Sequence, residues 1–185
     1  MGLRNALRRF RKDSRGTISA EAIVALPLLI WTHLATYEYF DAFSIITRNE
    51  KATYTLADMI SRQTGTVTPT FIDGMLSLYD YLNHQPANSW VRVTTIGWDP
   101  NAGSSGQYFV MWSYATNNGV QLDDTTLQSY TARLPNIATG DSLIMVETSM
   151  TYTPAFQLAV LPTGDLQQLV VTRPRISPQV DWSNS

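Results

Sequence analysis

The hydrophobic pattern of the chain is dominated by one long stretch near the N-terminus that is almost free of charge. From residue 16 to residue 37 the only charged side chain is that of Glu21, and these 22 residues include the apolar run 22–31. A helix of this length extends about 33 Å, which exceeds the roughly 30 Å of bilayer hydrocarbon. The pattern therefore predicts a transmembrane helix over residues 17–38. Its main positions are Ala22, Ile23, Val24, Leu26, Pro27, Leu28, Leu29, Ile30 and Trp31.

A cleaved secretory signal peptide is the alternative interpretation of this stretch. Its cleavage site requires two small residues, separated by one position, after the apolar run. The tripeptide 33–35 supplies only one small residue there, Ala35. Aromatic side chains, which settle at membrane interfaces, cluster at this end of the span. They are Trp31, Tyr37, Tyr39 and Phe40. The pattern favours a helix that is retained in the membrane.

Helical periodicity continues beyond the apolar stretch. Residues 38–64 contain no proline or glycine and keep an apolar rhythm near 3.6 residues, which predicts that the first helix runs on. Thr68 and Pro69 have the types expected at an N-cap and a first helical position. They open a second helix that ends before Pro86. Its apolar stripe is Phe71, Ile72, Met75, Leu76, Tyr79 and Leu82. A third, short helix is predicted from a box-like segment, residues 125–128, to just before Pro135.

Four segments have the composition and alternation of β-strands: residues 90–98, 107–116, 142–153 and 167–176. A turn-rich loop joins the first two, so we expect an antiparallel hairpin. The predicted fold class is α+β, with a long N-terminal helix packed on a mainly antiparallel sheet of about four strands.

The charge distribution orients the predicted membrane helix. The net charge of −2 combines six basic residues and one acidic residue in the segment 1–16, net +5, with seven basic and fourteen acidic residues in the remainder, net −7. Basic segments beside a membrane helix stay in the cytoplasm. We therefore expect a single-pass membrane protein with a cytoplasmic N-terminus and an extracytoplasmic C-terminal domain. The apolar helix that follows the basic segment argues against a nucleic-acid partner.

Motifs for catalysis and metal binding are missing from the sequence. The absence of cysteine excludes disulfides, thiolate zinc sites and a cysteine nucleophile. The loop with Asp99, Asn101 and Gly103 begins like a calcium loop, but Val110 occupies the position of its final acidic ligand. The sequence contains no G-x-S-x-G, H-E-x-x-H or phosphate-binding glycine loop. We expect neither an enzyme nor a cofactor or metal site.

The segment from Gly16 to Glu21, between a basic leader and an apolar helix, resembles the processing site of type IV prepilins. The resemblance implies that a prepilin peptidase cuts between Gly16 and Thr17, so that Glu21 becomes the fifth residue of the mature chain. It also implies that Glu21 sets the register of the subunit in a helical bundle, where the new α-amino group neutralises its carboxylate. An unpaired buried charge would demand such a partner.

More specifically, the chain resembles TadE-type pseudopilins (minor pilins) of the tight-adherence (Tad/Flp) pilus system. The residues that carry this resemblance are the segment 21–29, then Glu147 and Tyr152-Thr153-Pro154, and finally Arg173-Pro174-Arg175. The family implies a type IV pilin-like fold and a role in assembling a pilus for adhesion and surface attachment. The implied partners are the inner membrane, the prepilin peptidase, other pilins or pseudopilins and the assembly machinery.

This resemblance divides the chain into a leader at 1–16, a transmembrane helix at 17–38 and an extracytoplasmic pilin-like domain at 39–185. Two other functions stay open at this point. One is a membrane-anchored extracytoplasmic binding or sensor module that keeps its leader, and the other is a pseudopilin of type II secretion.

Individual residues also have alternative interpretations. Glu21 is either a bundle residue or a carboxylate at headgroup depth, where the positive end of the helix dipole favours it. Pro27 either kinks the helix for function or is simply tolerated, as membrane helices accept proline. Arg173 and Arg175 form either a docking patch, since guanidinium groups hold carboxylates bidentately, or an ordinary strand end.

Overall fold

The fold combines one long helix with a four-stranded antiparallel sheet, so the α+β class is confirmed. The computed structural model describes residues 17–84, 86–103, 106–156 and 163–184. The helices are α1 (Thr17–Ser61), α2 (Pro69–Leu82), α3 (Asp124–Leu127) and a 3-10 helix (Gln128–Arg133). The strands are β1 (Ala87–Asp99), β2 (Gln107–Ala115), β3 (Ser142–Tyr152) and β4 (Gly164–Thr172).

Helix α1 is one continuous element of 45 residues that passes through Pro27. At about 1.5 Å per residue it is about 68 Å long, more than twice the thickness of bilayer hydrocarbon. The predicted continuation beyond residue 38 is confirmed, and the helix ends at Ser61. The carbonyl of Ser61 accepts a hydrogen bond from the backbone N–H of Arg175 at 2.8 Å. This bond satisfies one of the carbonyls that every helix C-terminus leaves open.

The chain divides into two compact units. Of the described residues, the first unit holds 17–41 and 154–156. The second unit holds the described residues of 42–153 and 163–184, which include the whole sheet. Helix α1 therefore contributes its first half to one unit and its second half to the other.

The strands of the second unit lie in the order β2-β1-β3-β4, and each neighbouring pair is antiparallel. The predicted β1–β2 hairpin is confirmed, with a register shift between Thr95 and Ile96. The last strand was predicted at residues 167–176, but β4 begins at Gly164 and ends at Thr172. Pro174 follows closely, and proline cannot donate to a strand ladder.

Both faces of the sheet are covered. On one face the second half of α1 and helix α2 pack against β1, β3 and β4. The predicted apolar stripe of α2 supplies three fully buried side chains there, Ile72, Met75 and Tyr79. On the other face the segment with α3 and the 3-10 helix closes a second apolar cluster. Its buried members are Ile96, Tyr108, Leu122, Leu127, Leu134, Leu143 and Met145.

The two predicted helix starts have different outcomes. Thr68 caps α2 with Pro69 at the first turn, as predicted, and its hydroxyl accepts from the Phe71 N–H at 3.4 Å. The box at 125–128 was wrong as the start of the third helix. Asp123 is the N-cap, and its carboxylate accepts from the Thr126 N–H at 2.7 Å. A carboxylate is a strong acceptor for the free N–H groups of a helix start. The side-chain hydroxyl of Thr126, followed by its backbone N–H, lowers the pKa of Asp123.

Candidate functional sites in the helix and the sheet

Residues 21–33 of α1 present an apolar surface that no other described residue covers. Residues 21–33 are all exposed, and the large side chains from Ile23 to Trp31 retain between 50% and 74% of their accessible surface. Soluble proteins rarely expose apolar patches of this extent. Among the described residues, α1 is the one helix that is long and apolar enough to cross a membrane.

Glu21 lies at the start of this surface. Its side chain is exposed, and among the described residues it forms no hydrogen bond or ion pair. Thr17 begins the helix, whereas Gly16 and the rest of the basic leader lie outside the described residues. The role of Glu21 in register therefore stays a prediction.

Two hydroxyl groups of the apolar stretch are satisfied within the helix itself. Thr32 donates to the carbonyl of Leu28, and Thr36 donates to the carbonyl of Thr32, both at 2.8 Å. Such bonds to the residue one turn earlier remove the cost of placing a hydroxyl in hydrocarbon. Thr32 directly follows the apolar run 22–31, and with its hydroxyl bonded inside the helix it is compatible with a membrane.

Glu38, at the far end of the predicted span, is buried with only 1% of its surface exposed. Its Oε1 accepts a hydrogen bond from the backbone N–H of Phe156, whose ring meets that of Tyr37 edge-on at 6.0 Å. Its Oε2 makes no hydrogen bond to any described residue. Burying a carboxylate is costly unless its oxygens are bonded, so this contact fixes residue 156 to the helix at a specific point.

A buried polar network joins α1, α2 and β3 in the second unit. The Tyr79 hydroxyl donates to Oδ1 of Asn49 at 2.6 Å, and the hydroxyls of Thr53 and Thr148 lie 2.7 Å apart. Burial raises the pKa of Tyr79 to about 12. The network gives the helix a fixed register on the sheet, because each polar group has its partner only in this arrangement.

The opposite face of the sheet contains a buried ion pair. Nε of Arg92 on β1 lies 2.6 Å from Oε2 of Glu147 on β3. The remaining guanidinium nitrogens donate to the carbonyl of Val120 at 2.6 Å and to the Tyr130 hydroxyl at 3.2 Å. Burial by itself lowers the pKa of Arg92, but the hydrogen bond and charge of Glu147 outweigh it, so the pKa is raised. Burial, followed by the charge of Glu147, raises the pKa of Tyr130.

This ion pair borders an open cavity of about 340 Å³. The volume lies at the lower end of the range of about 300–1,000 Å³ that small-molecule sites occupy. Aromatic, charged and amide side chains line it. They are Trp90, Tyr130, Arg133, Glu147, Thr148, Gln167, Gln168 and Leu169. We refer to this cavity as the sheet pocket.

The two arginines of the predicted docking patch are exposed but engage different partners within the chain. Nη2 of Arg173 donates to the carbonyl of Asn136 at 3.0 Å. Nη1 of Arg175 lies 3.2 Å from Oδ1 of Asp58, which also pairs with Arg62. Their guanidinium groups are therefore used separately inside the chain, and a shared docking role stays a prediction.

Comparison with protein-family models, with curated proteins and with solved structures found no match to this chain. Functional assignment therefore depends on the residues themselves. Sequence reasoning missed both Glu38 and the Arg92–Glu147 pair. One signal was available for the pair: residue 92 is a charged position in an apolar strand. Glu38 is the next charged residue after Glu21, but nothing in the sequence indicated its partner.

Proposed function

We propose that this protein is a TadE-type pseudopilin, processed by a prepilin peptidase and required for assembly of a Tad/Flp-type pilus. The observation that carries the proposal is the division of α1. Residues 21–33 in its first half expose apolar side chains, while its second half packs against an antiparallel sheet. A subunit built this way is stored in a bilayer through one half of a helix and presents a folded domain outside it.

The charge distribution supports the orientation in this proposal. The leader, net +5, holds the N-terminus in the cytoplasm, and the acidic remainder, net −7, is exported. Cleavage after Gly16 removes the positive charge but leaves the apolar helix intact. The pilin-like nature of the sheet domain and its adhesive role are parts of the same proposal.

Glu21 has a defined task in this mechanism. It has no partner among the described residues of its own chain, and a carboxylate in an apolar span costs on the order of 2–3 kcal/mol. In an assembling bundle, the α-amino group of a mature N-terminus at Thr17 supplies the missing positive charge. The ion pair then favours one axial position of each subunit over its neighbours.

Replacing Gly16 by phenylalanine tests the processing step, because a bulky side chain blocks the small site before the cut. We expect the Gly16→Phe protein to keep its leader and to migrate as a larger product in cells that contain the peptidase. The Gly2→Phe variant is the matched control and is expected to be processed normally. Normal processing of Gly16→Phe would contradict the proposal. For Glu21→Ala we expect normal cleavage but loss of assembled pili.

The sheet pocket favours a second candidate function, a membrane-anchored extracytoplasmic binding module. A cavity with aromatic walls beside a buried ion pair is a candidate ligand site. In this alternative the leader stays attached, and the helix serves only as an anchor. Whether the leader is removed distinguishes the two functions.

A further inference from the structure

Successive residues of β1 direct their backbone N–H and C=O groups alternately toward β2 and toward β3. The carbonyl of Val91 accepts from the Thr116 N–H, and the Val91 N–H donates to the Thr116 hydroxyl, both at 2.9 Å. The backbone of Val91 therefore faces the β2 side. Because backbone groups alternate along a strand, those of Arg92 face β3.

The same alternation continues to the edge of the sheet. Arg92 pairs with Glu147, and the next residue of β3, Thr148, pairs with Gln168 of β4. The backbone groups of Gln168 therefore face inward. Those of the odd-numbered residues, Asp165, Gln167, Leu169 and Val171, face away from the sheet.

The two edges of the sheet differ in what covers them. On β2, the outward N–H of Val110 donates to the Asp124 carboxylate at 2.6 Å, and the outward carbonyl of Tyr108 accepts from Nε2 of Gln128 at 3.2 Å. Residues of α3 and the 3-10 helix thus close this edge. On β4, no strand, helix or side chain among the described residues bonds the outward backbone groups at positions 165–171.

Strand β4 also lacks the usual protection of an exposed edge. Proteins guard such edges with lysine, proline or bulges. Gly164–Thr172 contains no lysine or proline, and its only charge is Asp165. Its pairing with β3 runs without a register shift. The edge is therefore a regular template for another strand.

The sheet pocket opens beside this template. Gln167 and Leu169 lie on the same face as Glu147 and line the pocket. Arg133 lines it as well, with an exposed guanidinium group that makes no hydrogen bond or ion pair to the described residues. A strand added along β4 would project alternate side chains on this face, so one of them meets the pocket.

We propose that β4 is a docking edge for an extended segment of another polypeptide, which adds as a fifth strand and places an acidic side chain in the sheet pocket against Arg133. Strand addition supplies affinity through main-chain hydrogen bonds, and a pocket for alternate side chains supplies specificity. Asp124 and Gln128 close the β2 edge, so copies of this chain cannot add head to tail through the sheet. The occupant of the proposal is a different polypeptide, selected by the charge at the pocket. The free charge of Arg133 selects an acidic side chain.

Defined peptides test this proposal on the full-length protein in detergent micelles. The probe is a fluorescent nine-residue peptide in which threonine and valine alternate and glutamate replaces the central threonine. A second peptide has lysine at the centre. A third keeps the side chains of the first but is N-methylated at every residue, so that neither of its edges can pair with β4. Fluorescence anisotropy measures the dissociation constant of each.

We expect the glutamate peptide to bind and the lysine peptide to bind at least tenfold more weakly. The N-methylated peptide should show no binding at concentrations up to about 1 mM, a dissociation constant that corresponds to a binding free energy of about −4 kcal/mol. Gln167→Pro removes an outward N–H without disturbing the hydrogen bonds to β3, so the affinity of this variant for the glutamate peptide should fall at least tenfold. The control variant Gln167→Ala should bind the glutamate peptide as tightly as the unchanged protein. Arg133→Gln should abolish the preference for glutamate, and Arg133→Lys should retain it.

Three results would overturn the proposal. The first is equal binding of the N-methylated and unmodified peptides, which does not depend on how well any variant folds. The second is equal affinity of the Gln167→Pro and Gln167→Ala proteins. The third is self-association of the protein that Gln167→Pro abolishes, which would make a second copy the occupant.

Discussion

Nε of Arg92 lies 2.6 Å from Oε2 of Glu147, and the two side chains are only 10% and 9% exposed. The pair joins the two central strands of the sheet. Removing two charges from water is costly, and their attraction offsets that cost only when the remaining polar atoms are bonded as well. Here Val120 and Tyr130 accept from the other guanidinium nitrogens. The arrangement is therefore sensitive to the loss of either partner.

Glu147→Ala leaves the guanidinium of Arg92 buried without its counter-charge. We expect the free energy of unfolding to fall by about 3–5 kcal/mol, measured by urea titration in detergent micelles with tryptophan fluorescence. Arg62→Ala is the matched control, since it removes the exposed pair between Arg62 and Asp58. Its expected effect is about 0–1 kcal/mol. Similar losses in the two variants would contradict the role of the buried pair.

The buried Tyr79 hydroxyl should make the free energy of unfolding fall at alkaline pH. Burial raises its pKa to about 12, whereas the pKa of an unfolded tyrosine is about 10. The folded state therefore holds the Tyr79 proton more tightly than the unfolded state does. The contribution of this proton to the free energy of unfolding is fully present below about pH 10 and is lost as the pH rises from about 10 to about 12. We expect Tyr79→Phe to reduce the pH dependence of the urea midpoint in this window. Tyr54→Phe, at an exposed position, should leave that dependence unchanged.

The contact between Glu38 and Phe156 predicts local protection in the first unit. In Glu38→Ala the backbone N–H of Phe156 loses its acceptor, so hydrogen exchange of this amide should accelerate at least tenfold. Glu38→Gln keeps an acceptor oxygen and should preserve most of the protection. Glu50→Ala, an exposed position on the same helix, is the control. Unchanged exchange at residue 156 in Glu38→Ala would contradict the contact.

Two glycines predict opposite effects of the same substitution. Gly74 lies inside α2, and a Cβ there meets no atom within 4 Å. Gly74→Ala should raise the free energy of unfolding by about 0.5–1 kcal/mol. Gly106 has a φ of +84°, and a Cβ there would collide with the Trp98 ring, so Gly106→Ala should lower it by about 1–3 kcal/mol. A comparison of urea midpoints checks both signs.

The elements with local signals were predictable from the sequence, and the contacts between distant residues were not. The uninterrupted helical rhythm before Gly65 predicted α1, and Thr68 with Pro69 predicted the start of α2. The partners of Glu38 and Arg92 lie 118 and 55 residues away, so no local pattern identified them. The short helix at 124–127 was misplaced because a capping box and a nearby Asp123 compete for the same role.

Processing of the N-terminus is the central claim of the proposed function. N-terminal sequencing of the protein extracted from bacterial membranes tests it most directly. A chain that begins at Thr17 is the result expected of a peptidase-processed pseudopilin. A chain that begins at Met1 or Gly2 would contradict it and identify a protein whose basic leader stays attached to its membrane anchor.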